Sequence, residues 1–132
     1  MLSRPLHILL ADDNPSNVEL LRFIIQKLGH RLQVTTDGRA AVDCCMNERF
    51  DLVLMDIQMP HMDGIEATRR IRESSVYNRD SLRIVALTAT SIRVSEAYCR
   101  ELGLDACIIK PFRVKEIEDY LSQISPLGAG LQ

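Results

Sequence analysis

At 132 residues, with 46% hydrophobic and 26% charged side chains, the chain suits one domain with a filled core and is neither disordered nor fibrous. Sixteen Lys and Arg against eighteen Asp and Glu leave a formal net charge of -2, giving no electrostatic reason to bind nucleic acid or an anionic membrane. No apolar run approaches a bilayer span, and "MLSRPLHILLADD" lacks a signal-peptide cleavage pattern, so a cytoplasmic protein without membrane contact is expected.

The first apolar run, "HILLA" at 7–11, reads as a strand. In "NPSNVELLRFIIQKLG", Asn14 is an N-cap and Pro15 takes the first helical position. Val18, Leu21, Ile24, Ile25 and Leu28 share one helical face, and Gly29 suits the C-terminal cap. "RLQVTT" at 31–36 predicts the second strand. "DGRAAVDCCMNE" then opens on an Asp37-Gly38 turn and packs through Ala41, Val42 and Cys45. "DLVLM" at 51–55 predicts a third strand, which meets a carboxylate at Asp56 and turns on Met59-Pro60. "GIEATRRIRESS" is helical, with a polar side of Arg69, Arg70 and Arg72, and "ESSVYNRDS" is the longest connection. "RIVALT" at 83–88 predicts the fourth strand, and "SIRVSEAYCRELG" a helix ending at Gly103. "ACII" at 106–109 predicts the fifth strand. After Pro111, "RVKEIEDYLSQI" turns Val114, Ile117, Tyr120, Leu121 and Ile124 inward. No internal repeat or second domain is visible, so residues 1–132 are expected to form one domain, with a core of about 6–124 and a loose tail at 125–132.

Strand–helix alternation repeated five times predicts an α/β domain, a five-stranded parallel sheet doubly wound by five helices. Ligands in such sheets sit beyond the carboxyl ends of the strands. There the sequence puts Asp12-Asp13, Asp56, Thr88 and Lys110-Pro111. Each alone has an ordinary explanation: a capping loop, a β-branched strand residue, a solvated lysine. Their coincidence on one edge does not.

Crowded carboxylates repel and are driven toward protonation unless a cation intervenes. A hard divalent ion such as Mg²⁺ relieves this with a few carboxylates plus water, leaving positions open for a phosphoryl oxygen. Lys110 adds positive charge and Thr88 a hydroxyl donor, a cradle for charge on a transferring phosphoryl group. Asp56 then becomes a carboxylate nucleophile able to form an aspartyl phosphate. No other chemistry competes. There is no GxGxxG and no GxxxxGK[ST]; His7, His30 and His61 lack ligand spacing; Cys44, Cys45, Cys99 and Cys107 form no CxxC. Adjacent Cys44 and Cys45 read as small apolar filler rather than a redox pair.

From about residue 6 to 124 the chain resembles the receiver domain of two-component response regulators, a flavodoxin-like fold. The resemblance rests on Asp12 and Asp13 after "HILLA", Asp56 in "LVLMDIQMPHMDG", Thr88-Ala89 after "RIVAL", and "KPF" at 110–112. "MDIQMPHMDGIEATRRIR" is similar to the receivers of hybrid sensor kinases. It implies that Asp56 is the phosphoacceptor, served by a histidine kinase or a histidine phosphotransfer domain. It further implies Mg²⁺, with Mn²⁺ an acceptable substitute, held directly by Asp13, Asp56 and the Gln58 carbonyl, with Asp12 acting through water. Lys110 would pair with Asp56 or its phosphoryl group, and Pro111 would follow a cis bond. Thr88 would bond a phosphoryl oxygen, and small Ala89 would leave it room.

One position departs from the family. Where most members carry an aromatic switch residue three places before the lysine, this chain has Cys107, too small to act as a rotating wedge. The expected signal therefore runs through Thr88 and the following loop, with a monomer or weak dimer as product. Neither Gln58 nor Thr90 is an obvious base, so self-dephosphorylation is expected to be slow. A Mg²⁺-dependent aspartate-nucleophile phosphohydrolase is the enzymatic alternative, disfavoured because Gln58 stands where such enzymes want a second acid. A receiver used only for docking, without phosphorylation, is disfavoured by the complete acid–Thr–Lys set.

Overall fold

The computed structural model describes residues 5–74, 82–88 and 96–124, side chains of 96–98 excepted. The elements alternate throughout: β1 His7–Ala11, α1 Pro15–Lys27, β2 Arg31–Thr35, α2 Gly38–Asn47, β3 Leu52–Asp56, α3 Gly64–Glu73, β4 Arg83–Thr88, α4 Glu96–Leu102, β5 Ala106–Ile109 and α5 Val114–Gln123. All strand pairs are parallel, in the order β2-β1-β3-β4-β5. The order reverses between β1 and β3, which opens the ligand crevice at their carboxyl ends.

Strand alternation divides the core into two layers. Ile8, Leu10, Leu52, Leu54, Val85 and Leu87 pack with Leu21, Ile24 and Ile25 of α1 and with Ile117 and Leu121 of α5. Leu9, Ala11, Val53, Met55, Ile84 and Ala86 pack on the other side with α2 (Ala41, Cys45), α3 (Ala67, Ile71) and α4 (Cys99). Near-continuous burial of β1, β3 and β4 is what a sheet covered on both faces requires.

The helix starts follow their sequence signals. The Asn14 side chain accepts from Ser16 N and Asn17 N, with Pro15 at the first position of α1. Asp37 caps α2 through Ala40 N at 2.7 Å, so Gly38 is its first residue rather than half of a free turn. Asp63 caps α3 through Glu66 N at 2.8 Å. Gly29 and Gly103 end α1 and α4 with φ of 89° and 88°, a conformation that penalises a Cβ.

Four expectations need correction. Leu28 is 40% exposed and Val114 is 39% exposed, because each sits at a helix end where the apolar stripe has already rotated off the sheet. The second strand stops at Thr35, and the third is shifted by one residue to Leu52–Asp56. Asp51 instead turns its carboxylate to the His7 N–H at 2.8 Å, closing the start of β1. Arg72, on the polar side of α3 as expected, turns its guanidinium against Asp105. Residues 91–95 of the fourth helix-like segment, residues 75–81 of the "ESSVYNRDS" connection and the tail lie outside the described residues.

Candidate phosphoryl-transfer site

The strand ends deliver their polar residues to one edge. Asp12 follows β1 directly, and its N–H donates to the Thr35 carbonyl at the end of β2. It is completely buried. Its Oδ1 accepts the Asn14 N–H at 2.9 Å, and its Oδ2 accepts from Asn17 Nδ2 at 3.4 Å. Neighbouring Asp13 is exposed. Asp56 is the last residue of β3, paired in register with Leu87 of β4, and is buried. Its Oδ1 accepts the Gln58 N–H at 3.1 Å.

Carboxylate oxygens of Asp12, Asp13 and Asp56 all lie within 4.8 Å of one another. Lys110, just past β5, reaches into this group: its Nζ is 3.2 Å from Asp56 Oδ2 and 3.5 Å from Asp12 Oδ2. The Lys110-Pro111 bond is cis, as the resemblance implies. Thr88 ends β4, buried, and its carbonyl accepts the Lys110 N–H at 2.7 Å. Ala89 lies outside the described residues. Cys107 sits within β5, half-buried.

Burial pushes the Asp56 carboxyl above its ordinary range; the Gln58 N–H opposes this, the Asp12 charge adds to it and Lys110 counters it. Three carboxylates against one lysine leave the cluster with surplus negative charge. An all-oxygen donor set with surplus negative charge and one exposed member fits a hard, partly hydrated divalent cation. The residues present therefore suit Mg²⁺.

A family model described as the response regulator receiver domain matches residues 8–122. The chain belongs to this family. As a receiver it is 39% identical over 116 residues to Sensor protein GacS of Pseudomonas syringae pv. syringae, covering 87% of this chain and 13% of that protein. It is 35% identical over 123 residues to Sensor protein EvgS of Escherichia coli K12, covering 93% and 10%. The chain thus spans 10–13% of the length of these curated relatives. Among solved structures, the receiver domain of sensor histidine kinase PA1611 from Pseudomonas aeruginosa PAO1 superposes with a TM-score of 0.79 at 33% identity, over 91% of this chain and 97% of that one. That structure carries a magnesium ion coordinated in its active site cleft. The chemotaxis response regulator CheY4 of Vibrio cholerae superposes with a TM-score of 0.81 at 25% identity, over 91% and 98%.

Sequence reasoning missed three supporting residues of the receiver site. Asn17 braces Asp12 from the first turn of α1, a role that five-residue spacing across a loop does not announce. Gly64 lets α3 start against Asp56: its N–H donates to the Ile57 carbonyl at 2.9 Å, and a Cβ there would collide with the Asp56 carbonyl oxygen. Cys99 lies against Cys107, their Sγ atoms 3.2 Å apart. A Gly directly after Asp63 was the one available hint, since a helix-opening glycine asks for a close approach.

Proposed function

We propose that residues 1–132 are a single phosphoacceptor receiver of a two-component phosphorelay, with Asp56 accepting a phosphoryl group from a phosphohistidine. The observation that carries this is the convergence of three carboxylates and Lys110 at the β1–β3 switch point. The donor is a histidine kinase or a histidine phosphotransfer domain, docking on α1 and the loops after the strands. The receiver acts as a monomer or weak dimer in the cytoplasm, without contacting nucleic acid or membrane.

An Asp56 carboxylate oxygen attacks phosphorus in line; the P–O bond forms as the P–N bond breaks, and the imidazole departs with the electron pair of that bond. Asp13, Asp56 and the Gln58 carbonyl would hold Mg²⁺, or Mn²⁺ in its place, with Asp12 behind through water. When bound, the ion supplies positive charge against the phosphoryl oxygens. Asp12 and Lys110 pair within the site, so the ammonium is held where charge grows on the group in flight. Thr88 offers a hydroxyl to a phosphoryl oxygen, and the family resemblance implies that small Ala89 would leave that oxygen room. The reaction is self-catalysed, since every group it needs belongs to this chain or its metal. Exposed Gln58 is a carboxamide and cannot serve as general base, so loss of the phosphoryl group is slow. The same carboxamide cannot protonate a leaving group, which weighs against the phosphohydrolase alternative.

Incubation with a small acyl phosphate and Mg²⁺ should add one phosphoryl group, labile to base and hydroxylamine, by intact mass. Asp56→Asn should abolish it. Asp37→Asn should not, because Asn caps α2 as well as Asp does. Full labelling of the Asp56→Asn protein would assign the nucleophile elsewhere.

A further inference from the structure

Two cysteines eight residues apart in sequence bring their sulfurs into contact. Cys99, midway along α4, is buried, and Cys107 on β5 is half-buried; their sulfurs share a hydrogen bond of 3.2 Å. Both lie in the packing layer under Ala86 and Leu104, and the Leu104 N–H donates to the Cys99 carbonyl at 2.8 Å, fixing the turn between them. Cys44 and Cys45 have no such arrangement. Neighbouring helical residues do not face each other, Cys45 is buried, and Cys44 accepts from Gln33 Nε2 at 3.3 Å.

We propose that Cys99 and Cys107 are an oxidative modification site, closing to an intramolecular disulfide under hydroperoxide and fastening α4 to β5. The contact is short of a bond, since bonded sulfurs stand about 2.0 Å apart, and a small approach of α4 closes it. Cys107, the more accessible sulfur, attacks one peroxide oxygen; the O–O bond breaks, water leaves, and a sulfenic acid remains. Cys99 Sγ then attacks that sulfur, the S–S bond forms, the S–O bond breaks, and a second water leaves. Two thiols and one hydrogen peroxide give one disulfide and two waters, with two electrons passing from sulfur to oxygen. Burial and the Cys99 contact push the Cys107 thiol up to about 12, so its thiolate is scarce at neutral pH and the reaction is slow, quickening about tenfold per pH unit from 7 to 9. The site responds to sustained oxidant rather than to a brief pulse. β5 leads straight into Lys110, so the cross-link ties α4 to the strand that delivers the phosphoryl-site lysine.

Oxidation of the full chain with hydrogen peroxide tests this. The four free thiols should fall to two, with the mass of two hydrogens lost and restored by dithiothreitol. Trypsin cuts after Arg100, between the two cysteines, so a non-reduced digest should link peptides 94–100 and 101–113. Cys44→Ser should leave that link intact, while Cys99→Ser and Cys107→Ser should each remove it. If a serine variant does not fold, the wild-type digest decides. A link through Cys44 or Cys45, a link between two chains, or over-oxidation of Cys107 with Cys99 still free would overturn the proposal. No phosphoryl donor is present, so this result and the Asp56 labelling stand or fall separately.

Discussion

Arg72 Nη2 and Asp105 Oδ2, thirty-three residues apart in sequence, meet at 2.9 Å. The same guanidinium donates to the Gly103 carbonyl at 2.9 Å and the Leu82 carbonyl at 2.7 Å, and Asp105 Oδ2 also accepts the Ile84 N–H at 2.8 Å. One fork thus joins α3, the start of β4 and the turn into β5, at the sheet edge opposite Asp56. Arg72→Met is expected to lower unfolding free energy by about 2–4 kcal/mol, somewhat below a fully buried pair because both side chains keep some solvent. Arg72→Lys should recover little, since an ammonium cannot reproduce the fork. Urea denaturation measures this. A loss under about 0.5 kcal/mol would make the cluster ornamental.

Gly64 is the point where helix packing touches the chemistry. A methyl at this position would meet the Asp56 carbonyl oxygen and lie 2.9 Å from Met55 Cγ. The obstacle is mainly backbone, which cannot swing away as a side chain does. Gly64→Ala is expected to cost about 1–3 kcal/mol of stability. By displacing the end of β3 it should also slow Asp56 phosphorylation roughly 10- to 100-fold. A variant that loses stability but labels at the wild-type rate would show that Asp56 tolerates the shift.

These two sites mark the boundary of what a reader of the sequence can see. Asp12, Asp56, Thr88 and Lys110 were legible because each ends or follows an apolar strand, and parallel topology sends all strand ends to one edge. The helices were legible from caps such as Asn14 and from the 3.6-residue apolar period. Leu28 and Val114 were misjudged because periodicity says which face is apolar, not how far along a helix the core extends. Arg72–Asp105 and Cys99–Cys107 depend on side-chain reach between elements, which no periodicity encodes. Asn17 and Gly64 matter through atoms placed only after α1 and α3 have docked.

His30 offers a pH dependence unconnected with the site. Its Nδ1 accepts the Leu6 N–H at 2.9 Å, so that nitrogen must keep its lone pair. Burial lowers the His30 pKa below its ordinary value of 6.5, against a smaller opposing effect of Asp51. The unfolded chain therefore binds this proton more readily than the folded one. Stability should fall as pH drops below about 6.5 and level off beneath the folded pKa. His30→Gln, which can still accept from Leu6, should flatten that part of the profile. Denaturation midpoints of the two proteins between pH 5 and 7.5 provide the comparison; parallel profiles would clear His30 of any role.

Metal dependence gives a test with two opposite signs. Because clustered carboxylates outweigh Lys110, a bound divalent cation should relieve repulsion in the folded state only. At Mg²⁺ about tenfold above its dissociation constant, binding linkage gives about 1.4 kcal/mol, or roughly 5 °C in Tm for a chain of this size. Chelation should reverse it. Asp13→Asn should remove most of the gain while leaving the metal-free Tm equal or slightly higher, because it takes one charge out of the repelling cluster and Asp13 is exposed. Lys110→Met should act the other way. Without the ammonium at 3.2 Å from Asp56 and 3.5 Å from Asp12, the site is more negative, so the metal-free protein should be less stable and the Mg²⁺ gain larger. Thermal unfolding of the three proteins with and without Mg²⁺ decides the matter. Equal Mg²⁺ gains in all three would place the metal away from these carboxylates.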